Sequence, residues 1–147
     1  MPTTRTEATK AAAALLAEAR YEAALRRHWA SSAPERYKAL GIQASARLPP
    51  ELRLPRAALG RLLAARSGHS DFADYHERFK HEDALLTCSC GARKAPEHFL
   101  ACPLARARLR GSASRILGTD AGAIRFGLWC TTSSFFTTTC PRRLPTA

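Results

Sequence analysis

Acidic side chains are scarce in the last third of the chain. Residues 101–147 hold seven arginines and one acidic residue, Asp120, whereas residues 51–100 hold eight basic and seven acidic groups. The whole chain of 147 residues carries a net charge of +11. This imbalance favours a polyanionic partner, with nucleic acid ahead of an acidic membrane surface, and the alternative is an arginine-rich surface that only keeps the protein soluble.

Long apolar runs and secretory features are also missing. The run from Ala11 to Ala17 has seven residues, whereas a membrane-spanning helix needs about 20. Five cysteines, an odd number, without a secretory signal argue against a disulfide framework and indicate a reducing, intracellular setting. Glu7 and Glu18 count against a mitochondrial presequence. We expect no membrane partner.

Enzyme signatures are absent as well. The chain has neither a glycine-rich phosphate loop nor a GxSxG nucleophile elbow. His69, His76 and His81 stand among carboxylates, but their spacings of seven and five do not keep all three on one helical face. We therefore predict no catalytic residue and no small-molecule substrate, and we assign His69 a structural role in the turn after Gly68.

Four potential metal ligands fall within fifteen positions: Cys88, Cys90, His98 and Cys102. Thiolate and imidazole are the ligands that Zn²⁺ prefers, and a closed tetrahedral site takes four of them. One helical turn would place His98 and Cys102 on the same face, and Gly91 allows a tight turn after the second thiol. The spacing predicts a structural Zn²⁺ site. Free thiols beside an ordinary histidine are the alternative.

Hydrophobic periodicity predicts a mainly α fold, a small helical domain with a zinc-knuckle-like CCHC element. The predicted helices are 5–29, 34–40, 55–67, a helix after residue 70, 104–117 and a last helix ending near 129. Residues 42–54 are predicted to be an extended linker, and residues 131–147 a mostly irregular tail. The predicted organisation is an N-terminal helix (1–33), a helical core (34–117) that contains the knuckle (88–102), and a C-terminal helix with its tail (118–147).

Local signals predict where these helices begin and end. Capping boxes are formed by Thr4 with Glu7 and by Ser32 with Glu35, and Ser70 is a further candidate cap. Gly41 and Gly68 are predicted to end the second and third helices. Cys130 and Cys140 lie outside the ligand cluster in sequence and are interpreted as ordinary thiols.

Side-chain spacing also predicts which faces are buried. In the first helix, Tyr21, Leu25 and Trp29 form a stripe that would dock on the rest of the domain. Further on, three leucines are predicted to face inward, among surrounding arginines, and three aromatic residues at helical spacing are predicted to be core and not a base-stacking platform. The leucines are Leu59, Leu62 and Leu63, the arginines are Arg53, Arg56, Arg61 and Arg66, and the aromatics are Phe72, Tyr75 and Phe79. In the last helix, Ile124 and Leu128 are predicted to point inward.

The predicted helix 104–117 carries a basic face. Its four arginines stand at intervals of two to five residues around leucines, and they are Arg106, Arg108, Arg110 and Arg115. Such a face suits contacts with phosphate groups, so we predict that these arginines bind nucleic acid.

The order of the motifs resembles the C-terminal region of fungal-type non-LTR (LINE-like) retrotransposon polyproteins, downstream of the reverse transcriptase and RNase H domains. The resemblance covers about residues 34–143 and is strongest over residues 55–103. It rests on Leu62-Leu63-Ala-Ala-Arg66-Ser-Gly68-His69, then Phe72, Tyr75 and Phe79, then Cys88, Cys90, His98 and Cys102-Pro103. Leu117-Gly-Thr, Phe126, Trp129, Phe135-Phe136 and Cys140-Pro141 are similar to the final segment of that family.

This resemblance implies a CCHC zinc-knuckle-like element and a role in handling element RNA or target DNA, in the nucleus. The catalytic residues of the polymerase and RNase H lie upstream in such proteins and are not in this chain, so no enzymatic activity is implied. We therefore expect a non-catalytic nucleic-acid-binding tail module in a truncated or fragmentary copy. The alternatives are a subdomain that docks on an upstream polymerase or RNase H domain, and a relic with no present function.

Overall fold

The structure is a computed structural model that describes residues 5–143. It is mainly helical, which confirms the predicted fold class, and residues 5–143 contain no β-strand. The helices are α1 (Arg5–Ser32), α2 (Glu35–Leu40), α3 (Arg56–Ser67), α4 (Ala73–Arg78), α5 (His98–Ala101), α6 (Ala113–Leu117) and α7 (Asp120–Thr132), with a 3₁₀ turn at Pro50–Arg53 and a π-helical turn at Phe135–Thr139. No helix in this part of the chain is both long and apolar enough to cross a membrane.

The predicted glycine stops are confirmed, but two predicted caps are wrong. Gly41 and Gly68 both adopt φ 74° in the left-handed region, directly after α2 and α3. Ser32 does not cap α2, because α1 runs on to this residue and its hydroxyl donates to the carbonyl of His28 at 2.7 Å. Phe72 and not Ser70 precedes α4, without a side-chain cap. Thr4 lies outside the described residues.

The core lies where α3, α5, α6 and α7 meet. Its largest fully buried apolar side chains are Leu62, Phe99, Ile116, Leu117 and Phe126. The rings of Phe99 and Phe126 have centroids 4.8 Å apart, which joins α5 to α7. Helix α7 packs closely on α6 at Gly122, where a Cβ atom would lie 2.0 Å from the carbonyl oxygen of Arg115. Helix α7 thus shares one core with α3, and the division of the chain into three segments stays a prediction.

Several predictions of buried faces are wrong. Leu62 is fully buried and Leu59 is half-buried against the core, but Leu63 and Leu128 are 44% and 56% exposed. The buried line of α3 runs through Ala58, Leu62 and Ala65 at helical spacing, and Leu63 is rotated about 100° away from Leu62. In α7 the buried line likewise runs through Ala123, Phe126 and Trp129 at helical spacing, and Leu128 lies outside it.

Arg66 is buried and not part of the surface. Its guanidinium lies 3.0 Å from a carboxylate oxygen of Glu51 and donates from Nε to the carbonyl of Leu117 at 2.7 Å. Glu51 belongs to the 3₁₀ turn Pro50–Arg53, in the segment that was predicted to be an extended linker. That segment therefore supplies the counter-charge that allows an arginine to be buried.

The aromatic stripe of α4 is not core. Phe79 is 51% exposed, Phe72 and Tyr75 are half-buried, and the buried positions of α4 are Ala73 and His76. Phe79 packs against Tyr75 at the surface, with tilted rings whose centroids are 4.8 Å apart. Helix α4 has only six residues, and the side that carries Ala73 faces the hairpin turn that follows at residues 87–93. The N–H of Ala73 donates to the carbonyl of Lys94 at 3.0 Å, so the aromatic stripe faces outward.

Helix α1 is hydrogen-bonded to the rest of the described residues toward its C-terminal end. None of its 28 residues is buried. Trp29 donates from Nε1 to the carbonyl of Ile42 at 2.8 Å, and Glu22 accepts from the backbone N–H of Ala46 at 3.0 Å. In the predicted stripe, Leu25 and Trp29 are half-buried whereas Tyr21 is exposed. The prediction of a docking face is therefore right for one end of the helix only.

Candidate metal centre

The structure brings the four predicted ligands together. The side-chain ligand atoms of Cys88, Cys90, His98 and Cys102 all lie within 4.8 Å of one another. The sulfurs of Cys88 and Cys102 are 3.7 Å apart, and the sulfur of Cys90 is 3.3 Å from Nε2 of His98. Tetrahedral coordination with usual bond lengths would separate two sulfurs by about 3.8 Å and a sulfur and a nitrogen by about 3.6 Å. The four side chains are close enough together to bind one metal ion.

A disulfide does not explain this cluster. A disulfide bond requires a sulfur–sulfur distance of about 2.05 Å, and all five cysteines of the chain are free. Free thiols beside an ordinary histidine stay the alternative to a metal site, and two of these thiols are buried side by side.

The first two ligands are carried by a tight hairpin turn. The turn is closed by an isolated bridge between Thr87 and Arg93 and by the N–H of Cys88, which donates to the carbonyl of Ala92 at 2.8 Å. Gly91 adopts φ 89°, a conformation that other residues rarely take, and its N–H donates back to the carbonyl of Cys88. The reversal of the backbone allows two thiols only two residues apart to point at one centre.

The other two ligands are carried by α5. His98 is the first residue of this helix, and the N–H of Cys102 donates to the carbonyl of His98 at 2.9 Å. This i, i+4 bond places both side chains on one side of the helix, as the spacing predicts. Pro96 lies two residues before the helix. Phe99, between the two ligands in sequence, is buried in the core and ties the centre to it.

The electrostatics of the centre favour a bound cation. Burial lowers the pKa of His98, which favours the neutral imidazole that binds metals. The backbone N–H of Ala92 donates to the sulfur of Cys90 and lowers its pKa. Burial raises the pKa of Cys88 and of Cys102, so their thiolates need a compensating positive charge. A divalent cation among the four ligands would supply that charge.

The C-terminal segment covers the centre, contrary to the prediction of an irregular tail. Thr139 is the last residue of the π-helical turn, and its carbonyl accepts from the thiol of Cys88 at 3.4 Å and from the N–H of Ser89 at 3.2 Å. The ring of Phe135 is buried next to His98, with centroids 6.2 Å apart. Cys140 is buried beside this centre, where burial raises its pKa and the Cys88 thiol partly offsets that rise. The distance of Cys140 from the ligands in sequence gave no sign that it lies beside the centre.

A second polar cluster lies next to the hairpin. His76 is buried and contacts Asp71 through Nε2 at 2.7 Å and His81 through Nδ1 at 3.0 Å. Lys94 is buried as well and lies 3.0 Å from Asp71. Helical spacing does not predict the meeting of His76 and His81, because the chain reverses at Lys80 with φ 55°. His69 instead stacks its ring on Tyr75.

The four predicted phosphate-binding arginines do not lie on a single helix. Residues 104–112 are irregular, and only Ala113–Leu117 forms α6. The helix is interrupted because Ala107 adopts φ 48° and its carbonyl accepts from Nε1 of Trp129 at 3.0 Å. All four side chains are exposed, and none of them forms an ion pair within residues 5–143. Other arginines of the chain are engaged: Arg36 with Glu97, Arg66 with Glu51, Arg93 with Asp74 and Glu77, and Arg143 with Asp83.

No protein-family model matches this chain, and the comparisons with curated proteins and with solved structures gave no significant match. The resemblance to retrotransposon polyproteins therefore stays a prediction that rests on the motifs themselves.

Proposed function

We propose that this protein is a non-catalytic nucleic-acid-binding module whose knuckle is held by one structural Zn²⁺ ion. Three thiols and one imidazole in a tetrahedral arrangement are the donor set that Zn²⁺ prefers over harder cations. All four positions are taken by protein side chains, which leaves none for a substrate. In this proposal Cys88, Cys90, His98 and Cys102 are the zinc ligands.

The unpaired arginines carry the proposal for the partner. Arg106, Arg108 and Arg110 follow directly after the ligand Cys102, and Arg115 lies in α6. Their charges are free to bind phosphate groups, and the only acidic residue beyond position 100 is Asp120. RNA or DNA would release counterions on binding here, so affinity should fall steeply with salt.

The resemblance supports a wider proposal about origin and setting. The chain would be the tail module of a retrotransposon-type reverse transcriptase protein and would act in the nucleus beside an upstream polymerase domain. It would hold element RNA or target DNA there while the catalytic steps take place on other domains.

Charge reversal tests the nucleic-acid interface. Changing Arg106, Arg108, Arg110 and Arg115 to Glu should weaken binding to every RNA and DNA sequence alike and flatten the salt dependence, as measured by fluorescence anisotropy. The matched control reverses four other exposed arginines without ion pairs, Arg20, Arg26, Arg27 and Arg56. Unchanged binding in the first variant, or an equal loss in both, would place the interface elsewhere.

A protein-docking role is the second candidate, and helix α1 favours it. Leu15, Leu16 and Tyr21 are each at least 60% exposed on a helix without buried side chains. Such apolar groups could pack on an upstream polymerase or RNase H domain. Size-exclusion chromatography and binding of a hydrophobic dye test this role. A monomer that binds no dye would contradict it.

A further inference from the structure

A groove runs beside the metal centre. It lies between the hairpin turn of the knuckle, the segment that follows Cys102 and the end of α7 with the π-helical turn. Its volume is about 560 Å³, within the range of about 300–1,000 Å³ that is usual for ligand sites. Trp129, Phe135 and Leu104 supply its apolar lining, and Arg106 with a row of serine and threonine residues supplies its polar lining.

The polar lining offers donors and no negative charge. Arg106 is exposed and has no ion pair within the described residues. The hydroxyls of Ser89, Ser134, Thr138 and Thr139 make no hydrogen bond inside residues 5–143, although other threonines near them do. No carboxylate from the described part of the chain lines the groove. One guanidinium with several free hydroxyl donors matches a chain of phosphate groups.

We propose that this groove binds the sugar–phosphate backbone of single-stranded nucleic acid, with Arg106 and the hydroxyls of Ser134, Thr138 and Thr139 as phosphate ligands. This proposal rests on the proposed function. It adds that the bound nucleic acid is single-stranded and that its backbone follows this groove. A flexible single strand can enter a concave groove, whereas the phosphates of a duplex lie on a convex cylinder and reach only its rim. The remaining arginines, Arg108, Arg110 and Arg115, would bind phosphates on either side of the groove.

The metal centre shapes one wall of the groove. Ser89 lies between the ligands Cys88 and Cys90, and its N–H is held by the carbonyl of Thr139 at 3.2 Å. The hairpin turn and the π-helical turn are thereby fixed against each other, so the groove depends on the structure that the metal stabilises.

The test uses the full, zinc-loaded chain and changes hydroxyls without changing charge. The triple variant Ser134→Ala, Thr138→Val, Thr139→Val should bind 12-nucleotide single strands of RNA and DNA about tenfold more weakly, because hydrogen bonds to a charged phosphate are lost. Duplex affinity and the salt dependence should stay as in the original chain. Arg106→Gln should weaken single-strand binding and reduce the slope of log affinity against log salt by about 0.7. Arg56→Gln, which removes one exposed charge outside the groove, is the matched control.

The outcomes separate this proposal from the proposed function. Full single-strand affinity in the triple variant, with binding still lost on charge reversal of the four arginines, overturns the groove alone. No binding of any nucleic acid by the original chain overturns the proposed function. A loss in the triple variant confined to RNA assigns the hydroxyls to the ribose 2′-OH and overturns the phosphate assignment. Zinc content and the circular dichroism spectrum confirm that each variant is folded.

Discussion

The knuckle and helix α1 are stabilised in opposite ways. The knuckle, residues 88–102, has little regular structure of its own, yet two of its ligands are buried and the C-terminal segment is bonded across it. Helix α1 has 28 residues, and at about 1.5 Å per residue it extends for about 42 Å, but none of its side chains is buried. Its alanine-rich sequence has high intrinsic helix propensity.

The two regions therefore owe their folded structure to different interactions. The knuckle depends on tertiary contacts and, in our proposal, on a Zn²⁺ ion, so its structure should be lost in one cooperative step. Helix α1 depends on local hydrogen bonds, and an alanine-rich helix longer than about 15 residues can persist in part by itself. Perturbations of the metal centre should therefore leave a helical signal from α1, and perturbations of α1 should leave the core intact.

Removal of the metal should have the largest effect. Chelation of the zinc-loaded chain, or the variant Cys102→Ser, should abolish the near-ultraviolet circular dichroism of the core while part of the far-ultraviolet helical signal persists. Structural Zn²⁺ contributes about 10–16 kcal/mol of apparent binding free energy, as much as the whole stability of a typical domain. Acidification should release the ion as well, because protons compete with it for the three thiolates and for His98.

Cys130→Ser is the matched control for this experiment. Burial raises the pKa of Cys130 to about 12, so its thiol stays neutral, and it is not one of the four ligands. This variant should keep one zinc ion per chain by elemental analysis. Equal loss of zinc from both variants would show that the ion is bound elsewhere, and complete loss of the far-ultraviolet signal would show that α1 depends on the core.

The buried ion pair should give the second largest effect. Glu51→Gln leaves the guanidinium of Arg66 buried without a counter-charge, which should lower the free energy of unfolding by about 3–5 kcal/mol. Glu77→Gln removes a partner of Arg93 in an exposed pair and should cost less than about 1 kcal/mol. Urea unfolding followed by near-ultraviolet circular dichroism measures both. Similar midpoints for the two variants would show that water reaches the Glu51–Arg66 pair.

The candidate metal centre was predictable because its geometry is local. The ligand types are visible in the sequence, Gly91 provides the turn between two of them, and one helical turn connects the other two. The same holds for the glycines that end α2 and α3. In each case the deciding bond joins residues that are at most five apart.

The wrong predictions depend on long-range contacts. Arginines at intervals of two to five residues around leucines predict a helix over 104–117, but Trp129 donates to the carbonyl of Ala107 and holds this segment irregular. Arginine is usually a surface residue, and Arg66 can be buried because it pairs with Glu51, fifteen positions away in the sequence. The meeting of His76 and His81 depends on a left-handed Lys80, a conformation that the residue type does not predict.

The smallest effect is expected when an alanine of α1 is changed to glycine, and the same change in α3 provides the comparison. Ala58→Gly in α3 removes a buried methyl group and helix propensity, and should destabilise the core by about 2 kcal/mol. Ala13→Gly in α1 removes about 1 kcal/mol of helix propensity only. Because α1 has no buried side chain, Ala13→Gly should reduce the far-ultraviolet helical signal without shifting the urea midpoint of the core signal. A shift as large as that of Ala58→Gly would mean that α1 unfolds together with the core, and the two regions would then be one cooperative unit.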